Sequence, residues 1–309
     1  QGAATLLDPW TVDVNGEKRT ARNVIIAAGG RPRVPNIPGL DQATYYTSDT
    51  LWEIKTLPKK LLVLGAGPIG CELAQSFRRF GSEVIMVDPS PQILGREDAD
   101  VVAAVSKRFE HEGIQIKTGH NLKEVKPSGE GSQALLDGPE GEQWIDFDVM
   151  LLAIGREANV KGYGLENIGV ELDERGFIQV DEYLETSMPG VFAVGDVIGG
   201  YQFTHVSAHE AWYASVNALF GHFKRFKADY SVIPWATYTD PEVGRVGLNE
   251  ETAKAQGIEF EVARFELEEL DRAIVDQAPS GFVKVLTVPG KDKILGATIV
   301  GIHAGEWIA

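Results

Sequence analysis

The sequence predicts an α/β chain built on parallel, doubly wound sheet and closed by a separate α+β segment. Four short apolar runs predict the parallel sheet, each ending in glycine: Val24–Gly29, Leu61–Gly65, Val149–Gly155 and Val191–Gly195. The second run opens a strand–loop–helix–strand unit, and after Pro234 the texture changes to alternating strands. Continuous rather than alternating apolarity suits strands buried on both faces. Glycine at a strand's carboxyl end lets a ligand approach the backbone, which is where open α/β sheets bind ligands.

Taken in order, Val24–Gly29 is the first buried strand and Leu61–Leu64 the next. Ile69–Phe80 has helical periodicity, with Ile69, Leu73, Phe77 and Phe80 on one face, and Gly81 stops it. Glu83–Val87 is a strand, Asp100–Glu112 a helix and Ile114–Lys117 a further short strand. Leu122 to Phe147 reads as an antiparallel meander of three short strands with Gly-rich turns. The unit closes on Val149–Ile154. Residues 156–230 hold the buried strand Val191–Val194 and a helix over Ser207–Phe220. Strands follow at Trp235–Thr239, Phe260–Phe265, Phe282–Leu286 and Leu295–Val300.

The 309 residues allow two or three domains. With 43% hydrophobic and 24% charged residues, the chain has the composition of a soluble globular protein. Its net charge of −16 opposes phosphate backbones and anionic lipid, so nucleic acid and membrane surfaces are excluded as partners. No apolar run approaches the roughly 18 residues of a membrane span, and no secretory signal opens the chain. The one cysteine, Cys71, excludes an internal disulfide and any two-cysteine redox centre within these residues. A cytoplasmic location is the default. The chain starts at Gln1, and Gly305–Ala309 reads as a helix that stops after one turn. Both ends read as cut, and the chain is expected to be a fragment.

Gly65-Ala66-Gly67-Pro68-Ile69-Gly70 fits G-x-G-x-x-G between a strand and a helix. The first glycine makes the tight turn, the second lets a pyrophosphate reach the backbone, and the third lets helix and strand pack closely. The helix N-terminus stabilises phosphate charge. Asp88 ends the following strand about 20 residues on, where an acid accepts hydrogen bonds from ribose hydroxyls. A Rossmann-like dinucleotide site is predicted, with NAD preferred over NADP. The Asp88 carboxylate repels a 2′-phosphate, and Pro89, Ser90 and Pro91 beyond it are not basic. Arg96, the nearest arginine, reads as a solvated loop charge. His205 and His209 stand four apart on a helix, but no acidic or cysteine partner accompanies them, so no metal site is predicted. His111, His120, His222 and His303 belong to no constellation.

With these residues in place, the chain resembles the flavoprotein (pyridine nucleotide) disulfide reductase family, which includes dihydrolipoamide dehydrogenase and mercuric reductase. Five motifs in family order carry the resemblance: Val24 to Pro32, Gly65 to Glu72, Ala153-Ile154-Gly155-Arg156, Val191 to Asp196, and Thr239-Asp240-Pro241-Glu242-Val243 with Val246-Gly247. It implies a Rossmann-like doubly wound NAD domain inserted in a partial FAD domain and followed by a partial α+β dimer-interface domain. The expected bounds are 1–50 (FAD), 51–155 (NAD), 156–230 (FAD again) and 231–309 (interface).

The resemblance also implies roles. Gly65, Gly67, Pro68, Ile69, Gly70, Asp88, Ala153 and Gly155 would bind NAD, with Glu72 beside the nicotinamide. Gly29, Arg31, Arg156 and Gly195 would bind FAD. Asp196 would hold the ribityl hydroxyls, while Phe203, Thr204 and His205 would put backbone amides near the flavin pyrimidine edge. The implied protein is a homodimeric FAD- and NAD-dependent oxidoreductase. It passes hydride from nicotinamide to flavin and on to a disulfide or metal-ion substrate. The family's N-terminal FAD glycine loop, its C-x-x-x-x-C pair and its C-terminal His-Pro segment do not occur in these 309 residues. No catalytic residue is therefore predicted within them. The 309 residues alone are expected to be inactive and to hold FAD poorly, and Cys71 is read as a packing residue. The alternative reading is a non-catalytic NAD-binding module.

Overall fold

A computed structural model describes residues 2–129 and 131–309, which divide into two compact units. One unit takes the chain up to Arg31 together with Arg156–Tyr230. The other joins Pro32–Gly155 to Ser231–Ala309.

The second unit opens on a five-stranded parallel sheet in the order Tyr45–Thr47, Val149–Leu152, Lys60–Leu64, Glu83–Asp88, Gln115–Thr118. Helices α1 (Pro68–Phe80) and α2 (Ala99–Glu112) connect its strands, and each ends on a left-handed glycine, Gly81 (φ 113°) and Gly113 (φ 81°). Leu61, Val63, Val84, Met86 and Leu151 pack on the helical side. Leu62, Leu64, Ile85, Val87, Met150 and Leu152 pack on the other, beneath the meander of Asn121–Ser128, Gly131–Gly138 and Gly141–Phe147. Alternate residues of one strand are thus buried on opposite faces, which is why these runs lack polar alternation. Tyr45–Thr47 is an edge strand of this sheet, so the chain from Pro32 belongs here rather than with residues 1–31.

Helix α1 is buried on only part of the face its large apolar residues suggest, through Phe77 and Leu73. Ile69 is 39% and Phe80 69% exposed, whereas Gly70, Cys71, Ala74, Gln75 and Phe77 are buried. The small residues Gly70, Cys71 and Ala74 share the buried face with Phe77.

In the first unit, Val24–Ile26 pairs in parallel with Val191–Ala193. The Val191–Val194 run is buried on both sides. Val24–Ile26 is not, because Ile25 is 39% exposed. A three-stranded antiparallel sheet (Ala4–Asp8, Thr11–Val14, Glu17–Thr20) precedes them, which the sequence pattern does not announce. Helix α3 runs over Thr204–Phe220, starting three residues before the expected position, and buries Val206, Glu210, Ala214 and Asn217.

The rest of the second unit is a five-stranded antiparallel sheet in the order Pro234–Thr237, Glu242–Gly247, Ile294–Gly301, Phe282–Thr287, Glu261–Glu266. Glu242–Gly247 was not expected as a strand. Its two glycines and Arg245 disfavour one locally, and pairing on both sides overrides that preference. Helix α4 (Glu250–Ala255) is capped by Asn249, whose side chain accepts from the Thr252 N–H. Buried charges join this sheet to the α2 region. Lys284, 1% exposed, donates to Asp98 at 2.7 Å, Asp100 at 2.8 Å and Glu250 at 3.0 Å. Arg245 pairs with Glu97 at 3.4 Å and lies 4.2 Å over the Trp235 ring. Among the described residues no helix is long and apolar enough to cross a membrane.

Candidate functional site

The glycine loop sits at the carboxyl edge of the parallel sheet, and its three glycines are required for different reasons. Gly65 has φ 107°, and a Cβ there would lie 2.3 Å from the Ala153 carbonyl oxygen. A Cβ on Gly70 would lie 2.0 Å from the Gly65 carbonyl oxygen. Packing alone demands both glycines. Gly67 is different: its φ of −74° suits any residue, and a Cβ there would meet nothing within 4 Å. The fold does not use that space; it leaves the backbone at the start of α1 open to a ligand. Pro68 occupies the first helical position, and Ile69 is exposed beside it.

Asp88 reaches back to this loop. One carboxylate oxygen accepts the Ala66 N–H at 2.7 Å and the other the Ser90 N–H at 2.7 Å. Each oxygen keeps a lone pair. Arg96 is exposed, and its carbonyl accepts from Arg245 and Asn249. On the other side of the Lys60–Leu64 strand, Ala153 donates its N–H to Leu64 at 2.7 Å and Gly155 turns the chain with φ 101°. Lys60–Leu64 lies between Val149–Leu152 and Glu83–Asp88, the point where the strand order reverses and such sheets open a crevice.

Glu72 is half-buried one turn into α1. One of its carboxylate oxygens accepts the Tyr238 N–H at 2.8 Å. Burial raises its carboxyl above the ordinary range, and the Tyr238 N–H opposes the rise. Cys71 is fully buried, with its thiol donating to the Ala66 carbonyl at 3.4 Å. Desolvation pushes that thiol far above its usual range, so it is no nucleophile.

In the first unit, Arg156 donates to Asp196 at 2.9 Å and to the Gly30 carbonyl at 2.7 Å. Gly29 (φ 68°) and Gly195 (φ 78°) make the adjoining turns. Arg31 pairs with Glu157 at 2.7 Å and Asn159 at 2.9 Å. Phe203 precedes α3 and stacks on His205, ring centroids 5.5 Å apart, while Thr204 and His205 are exposed at the helix start. The neighbouring Gln202 has a buried side-chain nitrogen with no hydrogen-bond partner among the described residues. Such an orphaned donor calls for an acceptor from outside the chain.

Glu210 is the site residue that sequence reasoning missed. It is 2% exposed, accepts the Gly195 N–H at 2.7 Å through one oxygen, and accepts the Tyr230 hydroxyl at 3.0 Å through the other. Burial raises its carboxyl, and its charge together with burial raises the Tyr230 hydroxyl. The available signal was an acid at four-residue spacing between Val206 and Ala214, on the apolar side of a helix.

A cleft of about 520 Å³ lies elsewhere, lined by Arg78, Arg79, Arg108, Glu112 and Asp240. Arg79 and Arg108 each pair with Glu112 and Asp240, and Arg78 donates to the Glu112 and Ser82 carbonyls. Three guanidiniums thus answer two carboxylates and the negative ends of α1 and α2. The charge is balanced within the protein.

Residues 1–211 match the family described as pyridine nucleotide-disulphide oxidoreductase, and residues 233–309 match its dimerisation domain. The chain is 34% identical to a mercuric reductase from Staphylococcus aureus, covering all of this chain and 56% of that protein. It is 36% identical to a dihydrolipoyl dehydrogenase from Thermus scotoductus, covering all of this chain and 67% of that one. The HOCl-induced flavoprotein disulfide reductase RclA from Escherichia coli superposes with a TM-score of 0.87 at 28% identity, over 99% of this chain and 70% of its own. The chain thus spans 56% of the length of the first relative and 67% of the second. With the glycine loop, both sheets and these matches agreeing, the chain belongs to the pyridine nucleotide-disulphide oxidoreductase family.

Proposed function

We propose that the chain forms the dinucleotide-binding and dimer-forming part of an FAD- and NAD(H)-dependent oxidoreductase acting on a disulfide or metal-ion substrate. The observation that carries this reading is Gly67 in the G-x-G-x-x-G loop, whose missing Cβ leaves open space at the N-terminus of α1 that a ligand could use. The dinucleotide pyrophosphate would lie against it, over the N-terminus of α1. Asp88 would accept from the ribose hydroxyls with its remaining lone pairs, holding the loop at the same time. Ala153, Gly155 and Glu72 would flank the nicotinamide half. When bound, the nicotinamide and the flavin supply the hydride chemistry; the protein orients them and excludes water.

In the first unit, Asp196 would accept from the ribityl hydroxyls, oriented by Arg156. The start of α3, with Phe203, Thr204 and His205, would present backbone N–H groups to the flavin, and the orphaned Gln202 amide fits a further acceptor there. Residues 231–309 would form a homodimer. The substrate classes follow the relatives, one named for mercuric ion and one for the lipoyl group.

Titration calorimetry tests the nucleotide reading. NADH should bind more tightly than NADPH, because Asp88 favours the ribose hydroxyls and repels a 2′-phosphate. Tighter NADPH binding would overturn the preference, and binding of neither would overturn the site.

A further inference from the structure

Helix α1 presents Glu72, Gln75 and Arg79 along one side, and all three engage the same turn, Tyr238–Asp240. Glu72 accepts the Tyr238 N–H at 2.8 Å. The Gln75 side chain, 4% exposed, accepts the Asp240 N–H at 2.8 Å and donates to the Asp240 carbonyl at 2.9 Å. Its amide nitrogen also donates to Glu112 at 3.2 Å. Arg79 pairs with the Asp240 carboxylate.

Gln75 therefore grips the backbone of the turn from both sides of Asp240, and the turn returns an N–H to Glu72. A carboxylate with one oxygen held this way is oriented by that donor and leaves its second oxygen for another. Glu72 lies on the helix that the glycine loop opens, yet the group that orients it comes from the antiparallel segment.

We propose that Gln75, acting through the Tyr238–Asp240 turn, is a positioning residue for Glu72, so that the segment 231–309 sets the nicotinamide half of the dinucleotide groove. This rests on the nucleotide reading above. Glu72 meets the nicotinamide half in that reading, and Gln75 adds the control of its orientation.

The test titrates NADH and ADP-ribose, which lacks the nicotinamide, into the wild-type chain and into Gln75→Leu, Glu72→Ala and the double variant. Gln75→Leu should weaken NADH about tenfold and leave ADP-ribose within about twofold, the loss of a hydrogen bond to a charged group. In the double variant NADH should bind no more weakly than to Glu72→Ala alone, because Gln75 works through that carboxylate. If melting curves show that Gln75→Leu does not fold, Gln75→Glu is read instead. It keeps the acceptor for the Asp240 N–H, loses the donations to the Asp240 carbonyl and to Glu112, and should show the same NADH-selective weakening. Equal weakening of both ligands, or additive losses in the double variant, would overturn the positioning role. So would unchanged NADH binding in either Gln75 variant. Wild-type binding of neither ligand would overturn the nucleotide reading, and this inference with it.

Discussion

Asp88 uses its carboxylate to hold the Ala66 and Ser90 N–H groups, so the residue proposed to discriminate the ribose also shapes the loop proposed to meet the pyrophosphate. Asp88→Ala should therefore weaken NADH and narrow its advantage over NADPH, each effect about 1–3 kcal/mol for hydrogen bonds to a charged group. Calorimetry with both nucleotides measures it, and an undiminished NADH advantage would count against the assignment. Glu210 gives a pH-dependent prediction. Burial raises its carboxyl in the folded state above its unfolded value. The fold therefore favours the protonated form. That contribution is fully present below the unfolded value of about 4.3 and is lost as pH rises through the folded value. Glu210→Gln, which stays neutral, should gain stability relative to the wild type as pH rises from about 4 to 8. Thermal midpoints across that range report it, and a gain toward acid instead would refute the sign.

At the scale of elements, α1 and its loop separate packing from binding. Gly67→Ala introduces a Cβ into open space at φ −74°, so the melting temperature should stay within about 2 °C, while nucleotide affinity should fall at least about tenfold through a blocked pyrophosphate approach. Gly70→Ala drives a Cβ to 2.0 Å from a backbone oxygen and should cost about 1–3 kcal/mol of stability as well. Differential scanning fluorimetry beside a nucleotide titration distinguishes the two. Equal destabilisation by both substitutions would show that Gly67 serves the fold after all. The same loop was legible in the sequence because glycine spacing is local. The buried face of α1 was legible only in part: of Ile69, Leu73, Phe77 and Phe80, Phe77 is buried and Leu73 packs on the core, but Ile69 and Phe80 are exposed and the small Gly70, Cys71 and Ala74 are buried instead.

Across the molecule, a net charge of −16 coexists with buried cations that join the antiparallel sheet to the α2 region. Lys284 answers three carboxylates, Asp98 and Asp100 at the start of α2 and Glu250 at the start of α4. Lys284→Met removes the cation and leaves Asp98 buried without it, at a cost of about 3 kcal/mol, the lower end for a broken buried pair because Asp100 and Glu250 are partly exposed. Chemical denaturation should show that loss; a change under about 0.5 kcal/mol would mean the cluster is not a stabilising joint.

The sequence by itself determined the parallel strands, the meander, the glycine loop with Asp88 and the family, because each rests on apolar runs and turn residues that are neighbours in the chain. The tertiary structure alone decided that Glu242–Gly247 is a strand paired on both sides, that Glu210 holds Gly195 and that Gln75 grips Asp240. It also decided that Tyr45–Thr47 joins the parallel sheet. Glycines in a strand, an acid on an apolar helix face and a buried glutamine each contradict local preference. Their free energy comes from partners distant in the chain, whose proximity exists only once the sheets have formed.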